Sequence, residues 1–155
     1  MKLVLVAFGK SKFPFVDDGL AHYFEQIEHS ASVEMVLLKD QASDQKREEE
    51  FLLEALGRKK FLADGKTRVF LLDEKGREHT SRQLASELGK LRDAGVGRLV
   101  FVIGGAFGFS AELKKKFSLL SLSKLTFPHD LARLVLAEQL YRALQILAGT
   151  KYHHD

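Results

Sequence analysis

Leu99-Val100-Phe101-Val102-Ile103-Gly104-Gly105-Ala106-Phe107-Gly108 decides the reading of the fold. Five uncharged apolar residues in a row are too few for a buried helix and suit a strand covered on both faces. The glycines that follow let the backbone turn tightly or approach a ligand closely. Outward from this run the same sign recurs: Leu3 to Phe8, Val33 to Leu38 and Val69 to Leu72 predict three further strands. Between them lie helical patterns. Asp17 and Asp18 favour a helix start, and Leu20, Phe24 and Ile27 make its apolar face. Ser43 to Ala63, with Leu52, Ala55 and Leu56 on one side, predicts a long helix ended by Asp64-Gly65. Thr80 and Gln83 have the capping-box form ahead of Leu84, Leu88 and Leu91, and Gly95 and Gly97 stop that helix. A short helix containing Glu112 to Lys116, a short strand and loop over Ser118 to Phe127, and a last helix from Pro128 to about Gly149 complete the chain. Strands alternating with helices predict an α/β fold with a parallel sheet covered on both faces. Pattern alone draws it open and doubly wound, with ligands at the carboxyl ends of the strands.

Composition sets the bounds. The 155 residues suit one domain, able to bury roughly 70% of its unfolded surface in a single core. No cysteine is present, which removes disulfides, thiolate metal sites and a cysteine nucleophile. Leu3 to Phe8 is short for a signal-peptide core and no run is long enough to span a bilayer, so a cytoplasmic protein is expected. A net charge of +3 is compatible with a polyanionic partner without requiring one. The basic runs Arg58 to Lys60 and Lys114 to Lys116 read most simply as solvated helix faces.

Each local motif has an ordinary reading beside a chemical one. Gly9-Lys10-Ser11 resembles the end of a phosphate-binding loop, but Val4 stands where that motif needs its first glycine. Gly104 to Gly108 is either a tight strand-to-helix turn or a cofactor cradle. It is not a dinucleotide fingerprint, which belongs to the first strand-helix turn with an acidic residue about 20 positions on. Asp73 either caps the turn to Gly76 or receives a ribose hydroxyl. Ser121 to His129 places hydroxyls, a proline and a histidine among leucines, a pattern that calls for a polar partner. Glu138 and Arg142, four apart, make an ordinary helix-surface pair. Tyr152-His153-His154-Asp155 lacks a third ligand at convincing spacing, so no metal is expected.

Together the segments carry more than they do singly. Leu72-Asp73, Phe101 to Gly105 with Gly108, Leu122-Ser123-Lys124-Leu125-Thr126-Phe127-Pro128-His129, Glu138 to Ala143 and Tyr152-His153 occur in an order that resembles the large-subunit ribosomal RNA methyltransferase H family, of the SPOUT methyltransferases, over essentially the whole chain. The resemblance implies a single SPOUT domain over 1–155 with a deep trefoil knot across roughly 72–128 in place of the open sheet. It implies S-adenosylmethionine held by Leu72, Gly104 and Leu122, Ser123, Lys124, Leu125, Thr126 and Phe127. It also implies a homodimer in which the tail of one subunit approaches the pocket of the other. The implied substrate is 23S rRNA in assembled ribosomes, methylated at N3 of a pseudouridine in the intersubunit stem-loop.

Transfer from a sulfonium is an in-line displacement, so alignment is the main task, and the N3 proton must leave. Arg142 is expected to stabilise the deprotonated ring, while Tyr152, His153 and His129 hold the nucleotide. His153 is the alternative proton acceptor, because histidine ordinarily titrates near neutrality. Where the family often has an arginine or lysine after the Tyr-His pair, this chain has His154-Asp155. Two other classes stay open at this level: a silent RNA-binding factor that keeps the knot, and an unrelated flavodoxin-like nucleotide module.

Overall fold

Five strands, all parallel, form one sheet in the order β2-β1-β4-β3-β5. The computed structural model describes residues 1–40, 44–63 and 65–154. In chain order the elements are β1 (Lys2–Phe8), α1 (Pro14–Glu28), β2 (Ser32–Leu38), α2 (Gln45–Arg58), β3 (Thr67–Glu78), α3 (Ser81–Asp93), β4 (Arg98–Ile103), α4 (Ala111–Lys116), β5 (Ser118–Ser121) and α5 (His129–Leu147). Side chains alternate across a strand with period two, and the core divides accordingly. Leu3, Leu5, Leu99 and Phe101 face α1, α3 and α5 on one side. Val4, Val6, Val100 and Val102 face Leu52 and Leu56 of α2 and Leu113 of α4 on the other. Covering on both faces is why β1 and β4 read as unbroken apolar runs rather than alternating ones.

The local signals act as the sequence suggests at several ends. Thr80 Oγ1 accepts from the Gln83 amide at 3.2 Å and Gln83 Oε1 accepts from the Thr80 amide at 2.9 Å, completing the capping box. Gly95 takes φ of +82°, and the Val96 amide bonds back to the Leu91 carbonyl at 3.0 Å, closing α3.

Three boundaries differ from expectation. α2 ends at Arg58 rather than Ala63, because Lys60 adopts the left-handed conformation (φ 55°) and the Phe61 amide bonds the Leu56 carbonyl at 2.9 Å. That is the helix-ending turn glycine usually takes, here carried by a lysine, so composition gave no sign of it. Ser43 and Asp64, the expected limits of this helix, lie outside the described residues. α1 begins at Pro14, ahead of the aspartates, since proline suits a first helical turn. β3 runs to Glu78 instead of Leu72, with a register irregularity between Leu72 and Arg77 against β5. Gly76 permits this: a Cβ there would lie 2.7 Å from the Leu120 backbone.

A buried polar tie joins the first strand to the last helix. Arg133 is 1% exposed and donates to the Gly9 carbonyl at 3.1 Å and the Phe8 carbonyl at 2.5 Å. Asp130, 2% exposed, faces Arg133 at 3.6 Å and accepts from the Lys12 amide at 3.2 Å. Burial pushes the Arg133 pKa down from the usual guanidinium value, against the pull of Asp130, Asp17 and Asp40. These contacts fix the start of α5, and with it one wall of the site below.

Candidate active site

β3, β4 and β5 are neighbours, and their carboxyl ends fall at one level because Leu72 pairs with both Ile103 and Leu120. A cavity of about 530 Å3 opens there. Its size lies within the range for small-molecule sites. Leu72, Gly104, Leu122, Ser123, Leu125, Thr126 and Phe127 all line it, as does His129. Three separate stretches of chain therefore converge on one hollow. Lys124 is the exception among the expected binding residues. Its side chain is 87% exposed and reaches toward Glu78 at 4.0 Å, away from the lining. Leu125 and Phe107 leave exposed apolar surface at the rim.

The glycine turn is built for close approach from both sides. A Cβ on Gly104 would stand 3.1 Å from the Phe109 ring, and one on Gly105 would stand 2.5 Å from the Glu48 carboxylate. The start of α2 holds the turn from behind: Gln45 Nε2 donates to the Phe107 carbonyl at 2.9 Å, and Glu49 accepts from the Ser110 hydroxyl at 2.8 Å. The two readings of this motif thus merge, since the turn is tight and also forms a wall of the cavity. Glu48 itself is 3% exposed, and burial, with Asp40 adding repulsion, pushes its carboxyl above the usual range.

The hydroxyls of the serine-rich segment meet their own backbone. Ser121 Oγ donates to the Ser123 carbonyl at 3.0 Å, and Ser123 Oγ accepts from the Leu125 amide at 3.0 Å. These bonds fold the loop on itself where Leu122, Ser123 and Leu125 line the cavity. Thr126 Oγ1 reaches Glu74 at 3.4 Å. Asp73, which the sequence left between capping and binding, accepts from the Lys75 amide at 2.9 Å and pairs with Lys114 at 2.6 Å. Burial works against ionising this carboxyl, but Lys114 and the Lys75 amide outweigh it and hold the pKa below the usual value. Lys114, read from sequence as part of a solvated run, is a lining residue. Only the partner 41 positions earlier in the chain, unknowable from local pattern, gives it that place.

Arg142, Tyr152 and His153 form a second group, on α5 and the tail. Arg142 Nε donates to Glu138 Oε1 at 2.8 Å, its Nη1 stands 3.3 Å from His153 Nδ1, and its guanidinium lies 4.8 Å from the Tyr152 ring centre. The ordinary i,i+4 pair is thus present, with the tail folded over it. The Glu138 hydrogen bond raises the Arg142 pKa further. Tyr152 stacks edgewise on Tyr141 at 4.7 Å, and burial, with Glu138 beside it, pushes its phenol up to about 12. It therefore stays protonated near neutrality. None of these residues lines the cavity. Ala132, which does, precedes Arg142 by ten positions on the same helix, about 15 Å along its axis. His129 faces the cavity and lies 3.9 Å from Asp130. Asp155, in the expected tail, lies outside the described residues.

A parallel α/β domain with a small-molecule-sized cavity across three strand ends, walled by a glycine turn and a self-folded loop, sets the class of protein. Over residues 1–153 the chain matches the family model described as Predicted SPOUT methyltransferase. A protein of Pelobacter propionicus named Ribosomal RNA large subunit methyltransferase H is 41% identical, over 99% of this chain and 100% of its own length. Proteins of the same name from Geotalea daltonii and Parabacteroides distasonis are 38% and 37% identical, over 99% and 100% of this chain and the full length of each. The chain belongs to the SPOUT methyltransferase family. Among the described residues no helix is long and apolar enough to cross a membrane.

Proposed function

We propose that this chain is an S-adenosylmethionine-dependent methyltransferase that modifies N3 of a pseudouridine in the intersubunit stem-loop of 23S rRNA, in the cytoplasm and on assembled ribosomes. The observation that carries the reading is the convergence of Leu72, Gly104 and the Leu122–Phe127 loop on one cavity. Full-length similarity to relatives named as ribosomal RNA methyltransferases supports the RNA substrate.

The cavity suits the cofactor in chemical character. Leu72, Ile103, Phe109 and Phe127 offer apolar surface for a purine, and the turn at Gly104-Gly105 brings backbone groups within reach without a Cβ between. Bound there, S-adenosylmethionine supplies an electrophilic methyl group on a sulfonium. Leu72, Gly104, Leu122, Ser123, Leu125, Thr126 and Phe127 orient it, and His129 at the rim meets the incoming nucleotide. Lys124 turns its side chain outward toward Glu78, so its part in holding the cofactor is through its backbone. Support for a deep trefoil knot over 72–128 comes from the strand order, in which β5 lies beyond β3 although β4 precedes it, and from the close approach of the Leu120 backbone to Gly76. The whole chain works as one domain.

Loss of the N3 proton to solvent would leave negative charge on the ring, which Arg142 would stabilise, and N3 would then take the methyl group that S-adenosylmethionine held in the cavity supplies. Arginine can only donate, so His153 Nδ1, 3.3 Å away, accepts and the ring proton sits on Nε2. That arrangement favours His153 as a donor that holds the base, with Tyr152 beside it, over a role as proton acceptor. Because the Arg142 cluster and the cavity lie about 15 Å apart along α5 within one chain, a homodimer brings the tail of one subunit to the cavity of the other. The reading requires incorporation of labelled methyl from S-adenosylmethionine into ribosomes that lack the modification, with N3-methylpseudouridine found by mass spectrometry. No incorporation would sink it.

A further inference from the structure

A second cleft, of about 310 Å3, lies at the opposite, amino-terminal end of β3 and β5. Phe61, Leu62 and Phe117 give it apolar walls, and Arg68, Lys115 and Lys116 bring three cations to it. No carboxylate is among its described lining residues. The basic run of α4 is thereby divided: Lys114 turns to the first cavity and pairs with Asp73, while Lys115 and Lys116 turn to the second. Arg68, Lys115 and Lys116 are exposed and have no ion-pair partner among the described residues. Elsewhere the same chain does neutralise its basic groups. Glu34 takes both Lys2 and Lys59, Glu54 takes Arg58, and Glu138 takes Arg142. Three cations without an ion-pair partner among the described residues converge on one concavity and repel each other, and a polyanion relieves that repulsion.

We propose that this cleft binds the phosphate backbone of RNA and is a second anchor for the substrate, distinct from the cavity where methyl transfer occurs. The proposal rests on the ribosomal RNA reading above. An RNA backbone fits the chemistry better than a compact anion does: Lys115 and Lys116 act as adjacent point charges, Arg68 offers a fork for phosphate oxygens, and Phe61, Leu62 and Phe117 take apolar ribose and base surface. The spacing fits too. Thr67 lines this cleft and Leu72 lines the first cavity, five residues along one strand. At about 3.3 Å per residue the two sites stand about 17 Å apart. That distance is about five steps of a nucleic-acid strand rising 3.4 Å per nucleotide. Because that line runs through buried β3 and the RNA must pass around it, the anchored phosphates lie at least about five nucleotides from the methylated base.

The test uses the full-length protein with Arg68→Gln, Lys115→Gln and Lys116→Gln combined, measured by filter retention of 23S rRNA across a salt series. Removing one cation–phosphate pair lowers the slope of log affinity against log salt by about 0.7 to 0.9, so a fall of about 2 to 3 and at least a tenfold weaker affinity at low salt are expected. Binding of S-adenosylmethionine by calorimetry and the thermal midpoint stay at wild-type values, and Lys116→Gln alone lowers the slope by the share of a single phosphate. An unchanged slope overturns the proposal. So does failure to methylate ribosomes with rRNA affinity intact, which assigns the cleft to an acidic protein. Retention needs no methyl transfer. If the wild-type protein binds rRNA through this cleft and transfers no methyl, the proposed activity fails and the anchor stands.

Discussion

The cavity at the ends of β3, β4 and β5 and the Arg142 group at the far end of α5 share a helix but differ in how they are assembled. The walls of the cavity come from segments of this chain as much as 60 positions apart, from Leu72 to Ala132, locked in place by strand pairing, by Gln45 and Glu49 behind the glycine turn, and by Arg133 at the base of α5. The Arg142 group draws mainly on the end of the chain, from Glu138 to His153, with Tyr23 of α1 packed against Tyr141, and it touches no part of the cavity. On the proposed reading, the cavity serves the methyl donor and the polar groups serve the acceptor, so the two would be separate modules that a second subunit unites.

The sharpest way to break that comparison is Arg142→Ala. Loss of a group that stabilises developing charge costs about 10²- to 10³-fold in turnover, and cofactor binding by calorimetry is expected to remain. Mixed dimers of this variant with Gly104→Leu, which blocks the cavity, are expected to regain part of the activity because one composite site is intact. No regain in co-purified mixed dimers would mean that each chain works alone.

Next in size is Gly76→Ala. Its Cβ meets backbone rather than a movable side chain, so the β3–β5 contact must shift, at a cost of about 1–3 kcal/mol. Denaturant unfolding should show the loss, with S-adenosylmethionine affinity falling because Leu72 and Leu122 part. Tail contacts should be spared, and tyrosine fluorescence of the Tyr141–Tyr152 pair is expected to hold.

Smallest is Glu48→Gln. The folded-state pKa of Glu48 lies above its usual value of 4.5, so the stability it contributes is full below that value and is lost as pH rises through the raised one. Glutamine removes this dependence. The variant should therefore gain in thermal midpoint relative to wild type as pH rises from 4.5 toward neutrality, and a constant difference across that window would show that Glu48 is not desolvated behind Gly105. Asp73 runs the opposite way, its contribution present above the usual 3.8 and lost on acidification through the lowered value.

Strands and capped ends were legible in the sequence because their causes are local. The apolar run of β4 and the Thr80–Gln83 box need only their neighbours. Lys60 in a left-handed turn was not legible, since the usual marker there is glycine. The candidate site residues were named through family order, and the structure adds what order cannot: that Leu72, Gly104 and Leu122 share a level, that Lys124 points away, and that Lys114 and Glu48 belong to the cavity and its backing. Strand order escaped for the same reason. Nothing in β5 itself says that it will lie beside β3.

The tie from Arg133 to the Phe8 and Gly9 carbonyls spans 125 and 124 positions. A nascent chain emerging residue by residue presents its first strand long before the guanidinium that will hold the end of it. The end of β1 is therefore secured by this tie only once α5 is in place, whereas β1 can pair with β2, its neighbour in sequence, well before that.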